Sequence, residues 1–398
     1  QAHDGREVSL RPSAFLGLTA ALLVCAAASA CGEEEATVRP RLNGTGTPDG
    51  GTTTAEGGAL GCGVVIPTTY DGASFTVNAG AELALGTSLE GLDAKMASTE
   101  GDQTTTVTGT DLAALYNGGA PSLRSVSSTT VQGLVDTYLS DFGAAQGKTW
   151  QPSDAQADGG ATTGGKFKGL FYESRVGTDM RAATAKALLG GSLYNHALGV
   201  MQQGMSDATV DKLLALFGAT PAFANSTNVE AGANGDRFVA ALASKRDDKS
   251  QPTGLYRRMR SSLLTMKAAV TNPACRADFD AALAQYRRGW EQATFASAIF
   301  ALNAAAEQGL VPDSAPLALH SFGEALGLIQ GFKGLPVDQR KISDAQIDGI
   351  LTQIHADAPF TLITDAGTRK LDLTSAINTI AGIEEFDAGA IESFKKNF

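Results

Sequence analysis

Between Pro273 and Gln308 one set of residues returns at alternating steps of four and three: Phe279, Leu283, Tyr286, Trp290, Ala293, Ser297, Phe300 and Ala304. That spacing is the seam of a helix packed against partners. Asn272 suits the N-cap and Pro273 the first helical position, where its missing N–H costs nothing. Gly309 and Pro312 mark the stop. About 36 residues at ~1.5 Å each span about 54 Å. The first half is amphipathic, with Arg276, Asp278, Arg287 and Arg288 available to water. The second half, from Thr294 to Ala306, is apolar all round apart from Thr294, Ser297 and Asn303. A helix of that kind needs neighbours on every side, so the rest of the chain has to wrap it.

The remaining pattern supplies the wrapping. The 3.6-residue period predicts further helices over residues 81–98, 129–145, 178–203, 207–217, 236–244, 255–270, 315–331, 344–355 and 373–383, separated by glycine-rich breaks. No segment sustains the alternation of a strand. The fold class is all-α, a helical bundle. Apolar residues make up 43% of the 398, enough for a sizeable core. The formal net charge is -11, from 42 acidic and 31 basic residues, which argues against a nucleic-acid partner and against electrostatic docking on anionic lipid.

The N-terminal part reads as an address. Arg6 and Arg11 precede an uncharged run from Ala14 to Ala30 that ends in small residues. The run is short for a membrane span and reads as a secretory signal over 1–30. Ala28-Ser29-Ala30-Cys31-Gly32 resembles a bacterial lipobox, with Ala28 where Leu is usual, and makes Cys31 the lipidated residue. Gly32-Glu33-Glu34-Glu35 then resembles a surface-export signal, or is a solvated tether. A Gly/Thr/Pro linker occupies 31–63 and an all-helical domain 64–398. The expected location is the outer membrane, held by the N-terminal lipid, with the body facing periplasm or exterior. Once Cys25 leaves with the signal and Cys31 takes lipid, Cys62 and Cys275 remain, and an oxidising compartment permits a bridge between them.

Polar residues stranded in apolar helices are the candidate site. His320 and Glu324 are four apart, on one helical face, among Leu317, Leu319, Phe322, Leu326, Leu328 and Ile329. A buried carboxylate is costly unless paired. The pair is either a satisfied core contact or two ligands of a metal or polar-ligand site, and zinc takes three or four ligands. His196 sits in another apolar stretch, and Asn303 and Glu307 share a face of the long helix. Convergence of His196, His320, Glu324 and Asn303 or Glu307 would make a site between facing helices. His355, near a helix end beside Asp357, is expected to be exposed.

Several segments carry a resemblance: Ile66-Pro67-Thr68-Thr69-Tyr70; Gly191-Ser192-Leu193-Tyr194-Asn195-His196-Ala197; Phe238 through Ser244-Lys245-Arg246-Asp247; Tyr286-Arg287-Arg288-Gly289-Trp290-Glu291; and Leu319-His320-Ser321-Phe322-Gly323-Glu324-Ala325. In this order, behind a lipobox and tether, they resemble the bacterial lipoprotein family called domain of unknown function 4856. That family is similar in setting and build to the imelysins, envelope proteins linked to iron uptake and once described as metallopeptidases. Imelysins carry Gly-x-His-x-x-Glu. Here Ala318 stands two before His320, and Glu324 comes one residue later than that motif places it. The resemblance implies an imelysin-like helical bundle and an iron- or nutrient-related envelope protein, with His320 and Glu324 as the candidate metal-binding residues.

The phosphate-loop lookalike Gly160-Ala161-Thr162-Thr163-Gly164-Gly165-Lys166 has Phe167 where a magnesium-binding hydroxyl belongs. No His-Glu-x-x-His helix or Gly-x-Ser-x-Gly elbow is present. Three expectations result. The first is a non-enzymatic binding or accessory lipoprotein for iron or another nutrient, working with an outer-membrane receptor and with a metal ion as its candidate cofactor. The second is an imelysin-like metallopeptidase. The third is a structural or partner-binding lipoprotein in which the His/Glu pair only holds the core.

Overall fold

The structure, a computed structural model, describes residues 57–101, 103–156, 163–226, 235–248 and 254–398. The secretory signal, the lipidation of Cys31, the acidic run after it, the linker up to residue 56 and residues 160–162 of the phosphate-loop lookalike lie outside the described residues. The principal helices are α1 (Gly80–Ala97), α2 (Gly109–Asn117), α3 (Thr129–Ala145), α4 (Met180–Leu188), α5 (Asn195–Met201), α6 (Asp207–Phe217), α7 (Phe238–Lys245), α8 (Leu255–Ala269), α9 (Arg276–Gly309), α10 (Ala315–Gln330), α11 (Asp344–Gln353), α12 (Ala366–Glu384) and α13 (Ala388–Phe394). The body is an all-α helical bundle. Among the described residues no helix is long and apolar enough to cross a membrane.

The long helix α9 is central, as its apolar second half requires. A 3₁₀ turn, Pro273–Cys275, leads into it, and Asn272 accepts from Ala274 N at 3.0 Å. It packs against α7, α8, α10, α12 and α13. Ala296, Ala298, Ile299, Leu302 and Ala305 are fully buried, on faces that point in different directions. Side-chain caps fix other starts: Ser128 before α3, Ser206 before α6 and Asp179 before α4 each accept an amide N–H of the first turn.

The structure departs from the sequence expectation: the helices α2 and α13 fall outside the predicted ranges and α12 begins earlier than predicted, and two further departures bear on the site. The helix predicted over 178–203 is interrupted: Leu189–Tyr194 is a π-helical segment between α4 and α5. Gly190 and Gly191 lie in it, and a Cβ at Gly190 would lie 2.8 Å from the Gly331 backbone, while one at Gly191 would collide with Val131. The second departure is a small sheet. β1 (Thr149–Trp150) runs parallel to β2 (Gly165–Phe167), which pairs antiparallel with β3 (Phe171–Glu173), placing Gly165 opposite Glu173. Strands of two or three residues are too short to show alternation. Lys166 of the phosphate-loop lookalike lies in β2 and donates to Gly101 O at 2.9 Å, so it is part of a strand and not of a loop leading into a helix.

Close approach of α10 to α4 positions the site. Gly323, Gly327 and Gly331 recur every four residues, on one face. A Cβ on any of them would run into the backbone of Asp179, Ala183 or Ala187 respectively. The glycines let the two backbones meet, and that brings His320 against the first turn of α4.

Candidate functional site

His320 does not turn to Glu324. Its Nδ1–H donates to Asp179 Oδ2 at 2.7 Å, and its ring stacks on Phe171 of β3 with centroids 4.6 Å apart. Asp179 is fully buried and also accepts Ala182 N at 2.9 Å as the cap of α4. One side chain therefore starts a helix and holds a histidine. Burial works against the imidazolium of His320, but the Asp179 hydrogen bond and charge, with Glu324 nearby, raise its pKa above the ordinary value. Glu324 pairs with Lys186 of α4 at 2.9 Å. Burial pushes its carboxyl up; Lys186 and His320 outweigh that and hold it below the usual range.

Behind His320 lies a cluster that sequence reasoning missed. Arg181, the second residue of α4, donates from Nε to Glu100 at 2.7 Å and from Nη1 to Asp93 at 2.9 Å. Glu173 of β3 is fully buried, and neither of its carboxyl oxygens has a hydrogen-bond partner among the described residues. Burial, then the charges of Asp179 and Glu100, hold its carboxyl well above the usual range. Glu100 is raised to about 7, by burial first and Asp179 second, against the pull of Arg181. Four carboxyls, Asp93, Glu100, Glu173 and Asp179, thus lie around two cations, Arg181 and His320, and the surplus negative charge favours the protonated form of Glu100 and Glu173. One signal was available: the spacing of Gly323, Gly327 and Gly331 marks a close helix contact, and Asp179 is a good cap at its far side.

The other predicted residues are placed separately. His196 donates from Nε2 to Glu82 of α1 at 3.3 Å. Glu82 is buried, which raises its carboxyl, but the His196 hydrogen bond leads the contacts that bring it below the usual range. Asn303 is half-buried on α9, and Glu307 is exposed and pairs with Lys370 at 3.0 Å. His355 is half exposed, 3.4 Å from Asp372. His196, His320, Glu324 and Asn303 do not converge, because each histidine is taken by its own carboxylate. Among the described residues the one group of three close potential metal donors is Cys62, Cys275 and Asp278. Its two sulfurs are joined in a disulfide with Cα atoms 5.2 Å apart, so it offers no ligand set. His320 and Glu324 as arranged do not fit a metal ion.

Beside the cluster a groove of about 280 Å³ opens between α1, α4 and α7. Leu89, Leu189, Phe238 and Leu242 supply apolar walls, and Lys186, Arg237 and Lys245 stand among its charges. Arg237 is bound to Glu90 at 2.8 Å and Lys186 to Glu324. Asp93, also in the wall, is held by Arg181, which ties the groove to the buried cluster. Lys245, also in the lining, forms no ion pair among the described residues; partial desolvation and then the neighbouring charge of Lys186 lower its pKa, against the pull of Glu324. A larger depression, about 450 Å³ between α2 and α3, has Asp136 as its carboxylate, and Arg124 already engages it at 2.7 Å.

Fold and site together define a helical body with a walled apolar groove, its charges set by paired residues from four helices. Comparison with protein-family models, with curated proteins and with solved structures finds no match to this chain.

Proposed function

We propose that this chain is a lipid-anchored envelope protein that binds a small ligand without transforming it, as an accessory in nutrient or iron acquisition at the outer membrane. The single observation that carries the reading is the groove between α1, α4 and α7. Its apolar walls stand beside one lysine, Lys245, that forms no ion pair among the described residues; the carboxylate acting on it, Glu324, is already bound to Lys186. Apolar walls with a few placed polar groups are the usual build of a small-molecule site, and ~300 Å³ is the lower end of their size. The chemistry that fits is a small organic carboxylate with an apolar body. Iron would then arrive as an organic complex, since the histidines and carboxylates here are spent on one another and not gathered around an ion.

The test is calorimetric titration of the full chain with octanoate, with octanol as the uncharged control and ferric citrate as the iron-bearing probe. Saturable binding of octanoate or ferric citrate, weakened at least about tenfold by Lys245→Gln, supports the reading. Equal responses to octanoate and octanol, or binding indifferent to Lys245→Gln, would end it.

The second reading, a structural or partner-binding lipoprotein, is favoured by one observation. The stranded polar groups form satisfied pairs, His320 with Asp179 and His196 with Glu82. It predicts that His320→Ala lowers the melting temperature and alters no ligand binding. The metallopeptidase reading needs three ligands and an open coordination position, and the described donors do not gather in that way.

A further inference from the structure

Arg287, Arg288 and Glu291 of α9 line a second pocket that shares no residue with the groove. It measures about 210 Å³ and lies between α9 and the residues preceding α11. Four cations line it, Arg287, Arg288, Arg340 and Lys341, against two carboxylates, Glu291 and Asp338. That local excess of positive charge stands out in a chain of net charge -11.

The carboxylates do not satisfy the cations. Glu291 is turned inward: it accepts the backbone N–H groups of Lys341 at 2.9 Å and Ile342 at 2.8 Å, and stands 3.8 Å from Arg288. Asp338 accepts from Gln339 Nε2 at 2.7 Å. Arg288 is bound to Glu384, and Lys341 to Glu385 at 2.6 Å. Two guanidinium groups retain unused donors. Arg287 has one neutral partner, Gln339 Oε1 at 2.6 Å, and no carboxylate among the described residues. The Arg340 side chain is fully buried; it donates to Leu335 O at 3.1 Å and Asp344 at 2.8 Å, and its Nη1 is left without a partner among the described residues. A buried donor without an acceptor is costly.

We propose that this pocket binds a small oxyanion of the phosphate class, received by Arg287 and Arg340 with Lys341 and Arg288 adding charge. Guanidinium forks match the paired oxygens of such an anion. The pocket is smaller than the ~300 Å³ at which organic-ligand sites begin, so it takes free phosphate or the phosphate of a headgroup whose remainder stays outside.

The experiment is calorimetric titration of the full chain at constant ionic strength with inorganic phosphate, and separately with glycerophosphoglycerol, a soluble lipid headgroup. Chloride is the blank and thermal unfolding checks that variants remain folded. Saturable binding of phosphate assigns a free-anion site, and preferential binding of the headgroup assigns a lipid source. In either case Arg287→Gln weakens binding at least about tenfold, Lys341→Gln weakens it less, and Arg124→Gln, on the surface pair with Asp136, leaves it unchanged. Heats no larger than those of chloride for both probes, or affinity unaltered in folded Arg287→Gln, overturn the proposal. Since Lys245 is remote in sequence and lines a different pocket, Lys245→Gln separates this result from that of the groove.

Discussion

Replacing Glu100 by Gln should flatten the pH dependence of stability. The carboxyl is 8% exposed and titrates at about 7, against an ordinary 4.5. In the folded protein it holds its proton more tightly than in the unfolded chain. Its contribution to stability is therefore complete below about pH 4.5 and is lost as pH rises through about 7. At about 1.36 kcal/mol per unit of pKa, that difference is worth roughly 3 kcal/mol. Glu384, also raised to about 7 by burial and Glu291, acts with the same sign, as do Glu173 and the raised His320. The native protein should accordingly be less stable at pH 8 than at pH 5. Gln keeps an acceptor for Arg181 Nε and removes the titration. It also removes one of the two charges that raise Glu173. Urea unfolding followed by circular dichroism between pH 5 and pH 8 measures the effect; urea leaves ionic screening unchanged. The expected result is a stability curve for Glu100→Gln flatter between pH 5 and pH 8 than that of the native protein by about 2.5 kcal/mol. Parallel curves, or a native protein more stable at pH 8 than at pH 5, would refute the placement of these acids.

Other expectations follow from the same structure. Reduction of the Cys62–Cys275 bridge opens a loop closed over a separation of 213 residues; chain entropy puts the loss near 5 kcal/mol as an upper figure, and an unchanged urea midpoint under reductant would contradict it. His320→Ala leaves the buried Asp179 carboxylate without its imidazole and should cost about 3–5 kcal/mol, read as a lower melting temperature; an unaltered melting curve would show that the pair carries no stability. Gly191→Ala drives a methyl into Val131 in the π-helical segment and should destabilise by about 1–3 kcal/mol, measured by thermal unfolding; a neutral result would mean the helix there has room to shift.

Much of the helical frame is legible from local chemistry. A helix writes its own periodicity and its own caps, so α3 and α6 begin and end where the pattern places them, and the all-apolar half of α9 announces that it is enclosed. Helices whose buried face carries charge are hidden. The early turns of α12 escaped notice because Arg369 is buried there, donating to Ile354 O and standing 3.3 Å from Asp372. The short helix α2 is too small for a period and is marked instead by its capping box, Thr108 with Asp111.

The sequence also determined which residues were under strain. His196, His320 and Glu324 stand in apolar surroundings, and burial of a polar group without a partner is costly, so each had to find one. What it could not determine was the partner. An i, i+4 spacing makes contact between His320 and Glu324 available, yet the glycine face of α10 brings Asp179 of α4 nearer to the imidazole, and Lys186 takes the carboxylate. The partners are remote in sequence, and the choice between a local and a distant one rests on how closely two backbones approach. Only the tertiary structure decides that distance. The same holds for Glu100 and Glu173: separately they are ordinary acids, and the packing of β3 against the start of α4 makes them one charged cluster.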